Sequence, residues 1–99
     1  MFAKQNYEIK YKAYENKDIY IGGMYKNERN GLGTLYYENG DIHMGLWLND
    51  DAHGKGMRYV KRKDKEYLGY WEYNRFIPKS VRNKRENSTD SMQSSIESF

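Results

Sequence analysis

Few residues in this sequence have the types and spacing that catalysis or metal binding requires. His43 and His53 are ten residues apart, the chain has no cysteine, and no ordered pattern of carboxylates surrounds either imidazole. Since a metal site needs three or four converging ligands, the histidines do not predict one. Asp50 and Asp51 are adjacent and indicate a turn. We therefore expect neither a metal site nor a cofactor.

The sequence also lacks the motifs that mark known classes of enzyme. It contains no Ser/His/Asp order typical of a catalytic triad, no Walker-type phosphate loop and no nucleophile elbow. Ninety-nine residues allow one domain at most, and the repeats described below occupy most of them. We therefore predict that the protein is not an enzyme.

The composition favours a thin sheet held by aromatic rings. A chain this short buries only a small core, and 31% of its residues are charged. It nevertheless contains eleven Tyr, two Trp and three Phe, and each ring buries roughly 150–250 Å². Nine Gly and a single Pro favour strands and tight turns over helices.

Charge and hydropathy limit the cellular setting and the partners. The chain has no apolar run long enough for a secretory leader or for a membrane span of about 18 residues, and the lack of cysteine suits a reducing compartment. We therefore expect a cytoplasmic protein. A net charge of +3 is too small for the general basic field that nucleic-acid binding requires, so no nucleic-acid partner is expected.

A pattern of aromatic residues and glycines recurs every 23 or 24 residues. The segment YIGGMY at 20–25 returns as HMGLWL at 43–48 and as YLGYWE at 67–72. A Gly-x-Gly follows the first two of these segments, at 31–33 and at 54–56. Because such self-similarity identifies repeat architectures, the chain is predicted to be an array of small similar units.

The array has two full repeats, 20–42 and 43–66, between two partial ones. Upstream, residues 14–18 (YENKD) match residues 37–41 (YENGD) at the same offset of 23. The third unit begins 24 residues after the second, and the basic run at 61–65 is the simplest place for the extra residue. Terminal units of an array are usually atypical, because one side lacks a neighbour.

This pattern resembles the MORN repeat (membrane occupation and recognition nexus), which reads Y-x-G-x-W/F, a turn, G-x-G and an aromatic before a second turn. The resemblance covers about residues 14–76. It implies a single-layer antiparallel meander of β-hairpins. The matching residues are Tyr20, Gly22, Gly31, Gly33, Tyr36, Gly40, Gly45, Trp47, Gly54, Gly56, Tyr59, Tyr67, Gly69 and Trp71.

Several positions depart from the repeat. Met24 replaces an aromatic residue and His43 replaces a tyrosine. Asn27 and Asp50 stand where a turn glycine is common, but both residue types tolerate a left-handed backbone. Lys17 replaces the glycine of the first partial unit's second turn, so that turn lacks the usual glycine signal.

The sequence therefore predicts an all-β fold with a largely irregular C-terminal tail. Asn39-Gly40 indicates a two-residue hairpin turn in which both residues have positive φ. Pro78 ends the array after Phe76 and Ile77, which we expect to cap the last hairpin. The repeat domain is thus 1–78, and the polar and basic tail is 79–99. Strands are expected near 7–14, 18–26, 33–38, 41–48, 55–61 and 66–73.

The alternation of side chains along these strands gives the sheet two faces. One face carries the residues that define the repeat, such as Tyr20, His43, Trp47, Tyr67 and Trp71, and is expected to be the interior. The other face is unusually apolar, which typically marks an interaction surface. An alternative is that the tail or the N-terminal strand covers it. The predicted protein-binding residues are Ile21, Tyr25, Met44, Leu46, Leu48, Leu68 and Tyr70.

Two functions are compatible with this reading. The MORN resemblance implies an adaptor or structural subunit of a cytoskeletal or axonemal assembly, for example a radial spoke of a cilium. The alternative is a peripheral membrane module that contacts anionic phospholipids, although loop and tail charges also simply aid solubility. Homo-oligomerisation through open sheet edges also stays possible. The residues expected to contact lipid are Lys61, Arg62, Lys63, Lys65, Lys79, Arg82, Lys84 and Arg85.

Overall fold

A computed structural model describes residues 8–78, and over this range the chain forms one open sheet of seven antiparallel strands in sequential order. No helix occurs in the described range, so the predicted all-β meander is confirmed. The predicted tail at 79–99 lies outside the described residues. The strands are β1 (Glu8–Ala13), β2 (Ile19–Tyr25), β3 (Glu28–Tyr36), β4 (Ile42–Leu48), β5 (Asp51–Val60), β6 (Lys65–Glu72) and β7 (Arg75–Ile77).

Two strands begin earlier than predicted, and one was not predicted. Strand β3 starts at Glu28 instead of near residue 33, and β5 starts at Asp51 instead of near residue 55. The turns before β3 and β5 have only two residues, so each strand begins directly after its turn. Both Gly-x-Gly segments therefore lie inside strands. Phe76 pairs with Trp71 in the short edge strand β7, where the sequence predicted only a cap.

Two kinds of turn alternate along the meander. The pairs Lys26-Asn27, Asn49-Asp50 and Tyr73-Asn74 all have positive φ, between 46° and 78°. Positive φ at both residues is the signature of two-residue type I′ hairpins. The predicted left-handed backbone at Asn27 and Asp50 is therefore confirmed, and the sequence signal for these turns is the Asn or Asp in each pair.

The prediction for Asn39-Gly40 was wrong. Gly40 has φ 100°, but Asn39 does not have positive φ. The Gly40 N–H donates to the Tyr37 carbonyl at 3.0 Å, and the Tyr37 N–H donates to the Asp41 carbonyl at 2.9 Å, which closes a three-residue loop. The Asn39 Oδ1 accepts a hydrogen bond from the Asp41 N–H at 2.9 Å, and this local bond stabilises the wider turn.

The turns at 14–18, 37–41 and 60–65 are equivalent in the three repeats, and the last of them has a different length. In the first partial unit Lys17 takes the left-handed position with φ 77°, so this turn forms in spite of the missing glycine. In the third, Val60 pairs directly with Lys65 and leaves residues 61–64 as the loop. This loop is one residue longer than the one between Tyr37 and Asp41, so the extra residue of the 24-residue spacing lies in the basic run.

The core lies on one face of the sheet and consists of the repeat-defining side chains. Tyr20 and His43 are fully buried. The Trp47 and Trp71 indoles donate to the carbonyls of Gly33 and Gly56, each at 3.1 Å. Neighbouring rings meet edge to face, with Tyr20 and Trp47 at 5.6 Å between centroids. The other buried residues of this core are Met24, Leu35 and Ala52.

Hydrogen bonds from the type I′ turns to the strand that follows the preceding turn connect neighbouring hairpins. Asp50 accepts from the Arg29 N–H at 3.0 Å and returns a bond from its own N–H to the Arg29 carbonyl at 2.9 Å. Asn74 exchanges the same two bonds with Ala52, at 2.8 and 2.9 Å. These reciprocal bonds fix the position of one repeat on the previous one. The Asn or Asp therefore contributes a side-chain hydrogen bond as well as a backbone that tolerates positive φ.

Alanine at Gly33 is expected to destabilise the protein by about 1–3 kcal/mol through overpacking. A Cβ at Gly33 would come within 2.0–2.6 Å of the ring and hydroxyl of Tyr20, which is fully buried and has no space to move into. Urea unfolding followed by circular dichroism measures the effect. Thr34→Ala is the matched control, because Thr34 is adjacent and faces the other side. Equal losses from both substitutions would contradict the steric explanation.

Candidate functional site

The face opposite the core carries the candidate site. We call it the apolar face and define it by ten large apolar side chains, each with 38–77% of its surface exposed. Ile9, the most exposed of them, lies on the edge strand β1. The ten residues are Ile9, Tyr11, Ile21, Leu32, Tyr36, Met44, Leu46, Leu48, Leu68 and Tyr70.

Strand register arranges these residues in three rows across the sheet. Directly opposed residues of neighbouring strands lie on the same face. The three rows are therefore largely apolar stripes, in which Lys55 and Glu66 are the charged members. The central row is Tyr11, Ile21, Thr34, Met44, Met57 and Leu68; the first flanking row is Ile19, Tyr36, Ile42, Tyr59 and Glu66; the second contains Leu32 and Leu46, with Lys55, Tyr70 and Ile77 further along.

The structure brings the predicted protein-binding residues together on this face. Six of them are exposed there: Ile21, Met44, Leu46, Leu48, Leu68 and Tyr70. The seventh, Tyr25, is half-buried at the end of β2.

Sequence reasoning missed four residues of the apolar face. Ile9 and Tyr11 alternate with Lys10 and Lys12 in β1, and this period of two was the available signal. Leu32 stands between the glycines of a Gly-x-Gly, and the late predicted start of β3 hid its pairing with Leu46. Tyr36 was assigned to the repeat framework, yet it pairs with Ile19 and Ile42 on the apolar face.

Half of the predicted lipid contacts can be placed. Lys61, Arg62, Lys63 and Lys65 are exposed around the 61–64 loop at one end of the sheet. The aliphatic part of Lys61 packs over Gly40, where an added Cβ would lie 2.4 Å from it. Lys61 therefore has a structural role as well as its charge. The other four predicted contacts, Lys79, Arg82, Lys84 and Arg85, lie outside the described residues.

The core contains a polar cluster built around His43. The Arg58 guanidinium donates through Nε to His43 Nδ1 at 3.3 Å and through Nη2 to the Tyr37 hydroxyl at 2.9 Å. It also lies 5.0 Å from the centre of the Trp71 ring, which is a cation–π distance. The imidazole packs edge to face against Trp47 and Trp71 at 5.2 and 4.7 Å.

The electrostatics of this cluster keep the imidazole neutral. Burial first, and the positive charge of Arg58 second, lower the pKa of His43 from 6.5 to about 4. Since Nδ1 accepts a hydrogen bond, Nε2 carries the proton, and that buried atom has no partner in the described structure. The equivalent residue one repeat earlier is Tyr20, and burial raises its pKa to about 12. Both side chains therefore act as uncharged packing groups.

Residues 8–78 contain no group of three or more His, Asp or Glu placed to hold a metal ion. Over the same range, no helix has the length and hydropathy to span a membrane. Neither the models of known protein families nor the curated proteins compared with this sequence give a match. The resemblance to MORN repeats therefore rests on the repeated residues themselves.

Proposed function

We propose that this chain is a non-catalytic, MORN-type structural subunit that binds other proteins through its apolar face within a larger assembly. The single observation that carries this proposal is the apolar face itself. Its ten exposed side chains extend from β1 to β6, whereas the largest exposed apolar patch of a typical monomer is about 300–600 Å² and is itself often functional.

The energetics favour a protein partner. Over residues 8–78 the sheet has one layer, so packing of the core side chains leaves the second face uncovered by any element in this range. At about 25 cal/mol per Å², covering a few hundred Å² of this face contributes several kcal/mol to binding. Because the rows carry few charges, the contribution comes with little desolvation of polar groups.

The MORN resemblance suggests the setting. Array proteins of this kind serve as pieces of larger structures, so we propose a cytoplasmic, cytoskeletal or axonemal location such as a radial spoke in a cilium. The support for this setting is the repeat pattern, with its 23-residue offset between matching glycines. The polar cluster around His43 supports the non-catalytic part of the proposal, because its imidazole is fully buried and packed between indoles.

The test is co-purification from the source cells with a tagged full-length chain, followed by cross-linking and mass spectrometry. We expect Leu46→Asp combined with Leu68→Asp to reduce the recovered partners at least about ten-fold, because two charges would be buried in the interface. Tyr73→Asp is the matched control, since Tyr73 is 66% exposed but lies in a turn. Normal assembly of the double variant would refute the proposal.

A second candidate function is contact with anionic membranes, which the exposed basic loop at 61–64 favours. Each basic residue at such a surface contributes only about 1 kcal/mol. Flotation with phosphatidylserine-containing vesicles at physiological salt tests this candidate. Binding should fall when Lys61, Arg62, Lys63 and Lys65 are replaced together by Gln, and absence of wild-type flotation eliminates it.

A further inference from the structure

We propose that the apolar face pairs with the apolar face of a second copy of this chain, forming a two-layer β-sandwich. This inference rests on the proposed function, because it takes the same face to be a protein-binding surface and identifies the partner. Three observations carry it: the area of the face, its shape, and the charges at its two ends.

The area matches that of a stable dimer. The ten side chains of the apolar face expose roughly half of their surface on average. For side chains that bury about 100–200 Å² in full, the exposed total is on the order of 700–800 Å² per copy. A standard stable interface buries about 800 Å² on each partner. Face-to-face pairing of two copies therefore supplies an interface of ordinary size.

The shape of the face requires a broad partner. Neighbouring strands are about 4.8 Å apart, so the central row from Tyr11 to Leu68 is about 24 Å long. Rows two residues apart along a strand are separated by about 7 Å, so the three rows span about 13 Å between their outer members. An α-helix about 10 Å wide covers two of these rows. A second sheet covers all three, and this chain supplies one with the same dimensions and pleat.

Opposite charges lie at opposite ends of the two neighbouring strands β5 and β6. Residues 61–66, where the two strands join, carry four basic residues and two acidic ones, Asp64 and Glu66. At the other ends of these two strands, two carboxylates border the apolar face beside the type I′ turns. They are Asp51 and Glu72, and Glu72 is directly opposed to Arg75 of β7.

These charges select the symmetry of the dimer. A two-fold axis parallel to the rows reverses the strand direction of the second copy and keeps the strand order. The basic loop of one copy then lies over Asp51 and Glu72 of the other, and Met44 in the central row lies beside its own equivalent. A two-fold axis along the strands would instead place the basic loops on the same end. Aligned sandwiches tolerate the roughly 30° rotation that sheet twist introduces.

Sedimentation velocity of the purified full-length chain, from about 1 to 100 μM, tests the pairing itself. We expect a species of twice the 11.9 kDa chain mass. Met44→Asp should weaken association at least about 100-fold, because two like charges meet on the axis. Met44→Leu, which conserves volume, is the control and should remain dimeric. Thermal unfolding of each variant verifies that it is folded.

A charge exchange tests the orientation. Lys63→Glu should weaken the dimer about 30-fold, because the two-fold axis repeats the lost surface ion pair and two such pairs contribute about 2 kcal/mol. Adding Glu72→Lys to the same chain exchanges the two charges and should restore the affinity. Failure of the double variant to recover would overturn the antiparallel arrangement.

Two results would overturn the inference as a whole. One is a wild-type chain that remains monomeric over the full concentration range, and the other is a monomer that binds phosphatidylserine vesicles through the apolar face. Neither result removes the proposed function, which fails only if the Leu46 and Leu68 variant still assembles with other proteins in cells. The two failures are therefore distinguishable.

Discussion

Replacing Trp47 with alanine should cost about 3–5 kcal/mol of unfolding free energy, the largest effect expected from any single substitution described here. Trp47 is 4% exposed and occupies the centre of the core. Its ring contacts Tyr20 and His43 edge to face at 5.6 and 5.2 Å, and the Arg29 guanidinium lies 4.8 Å from its centre. A domain of this size has roughly 5–10 kcal/mol of total stability, so the substitution should remove about a third of that stability or more.

A graded series separates ring packing from hydrogen bonding at this position. Trp47→Phe keeps an aromatic ring but loses the indole bond to the Gly33 carbonyl, so a loss of about 1–2 kcal/mol is expected. Leu48→Ala is the control, because Leu48 is adjacent but 42% exposed on the apolar face. Urea unfolding monitored by fluorescence of the remaining Trp71 gives all three values. A loss for Leu48→Ala as large as that for Trp47→Ala would contradict the assignment of the core to one face.

Stability should fall by about 3 kcal/mol as the pH is lowered from 6.5 to 4, because of His43 alone. Burial and Arg58 lower the pKa of His43 from 6.5 to about 4 in the folded protein. Between these values the unfolded chain binds more protons at this site than the folded chain does, so acid favours unfolding. The contribution of neutral His43 is fully present above pH 6.5 and is lost as the pH falls towards 4.

The measurement is the unfolding free energy at several pH values for the wild type and for His43→Tyr. Tyrosine is the residue found at the equivalent position one repeat earlier, Tyr20, so the substitution suits the local geometry. The pH-dependent loss between 6.5 and 4 should be smaller in the variant by about 3 kcal/mol. If both proteins lose the same stability over this range, the imidazole is not the source.

The sequence by itself determined the repeated unit, the all-β meander and the identity of the core face. Tyr20 and His43 are 23 residues apart and Trp47 and Trp71 are 24 apart, and all four alternate with residues of the opposite face. Both properties are local, because a period of two in a strand assigns each side chain to a face without knowledge of the partner strand. The same alternation identified Met44, Leu46 and Leu68 as members of the opposite face.

Tertiary structure alone decided what depends on pairing between strands. The Asn39-Gly40 dipeptide allows either a two-residue or a three-residue turn, and the bonds that Tyr37 makes across the hairpin select the longer one. Leu32 joins the apolar face because β3 is paired through Leu32 with Leu46 of β4.

The polar cluster arises in the same way. His43 and Arg58 are fifteen residues apart in sequence and meet only because β4 and β5 pair in the register that opposes them. Their contact lowers the pKa of His43 in combination with burial. Register depends on long-range hydrogen bonding and packing, which residue types and spacing do not encode locally. For this reason the repeat was readable from the chain, whereas the neutral buried histidine and the full extent of the apolar face were not.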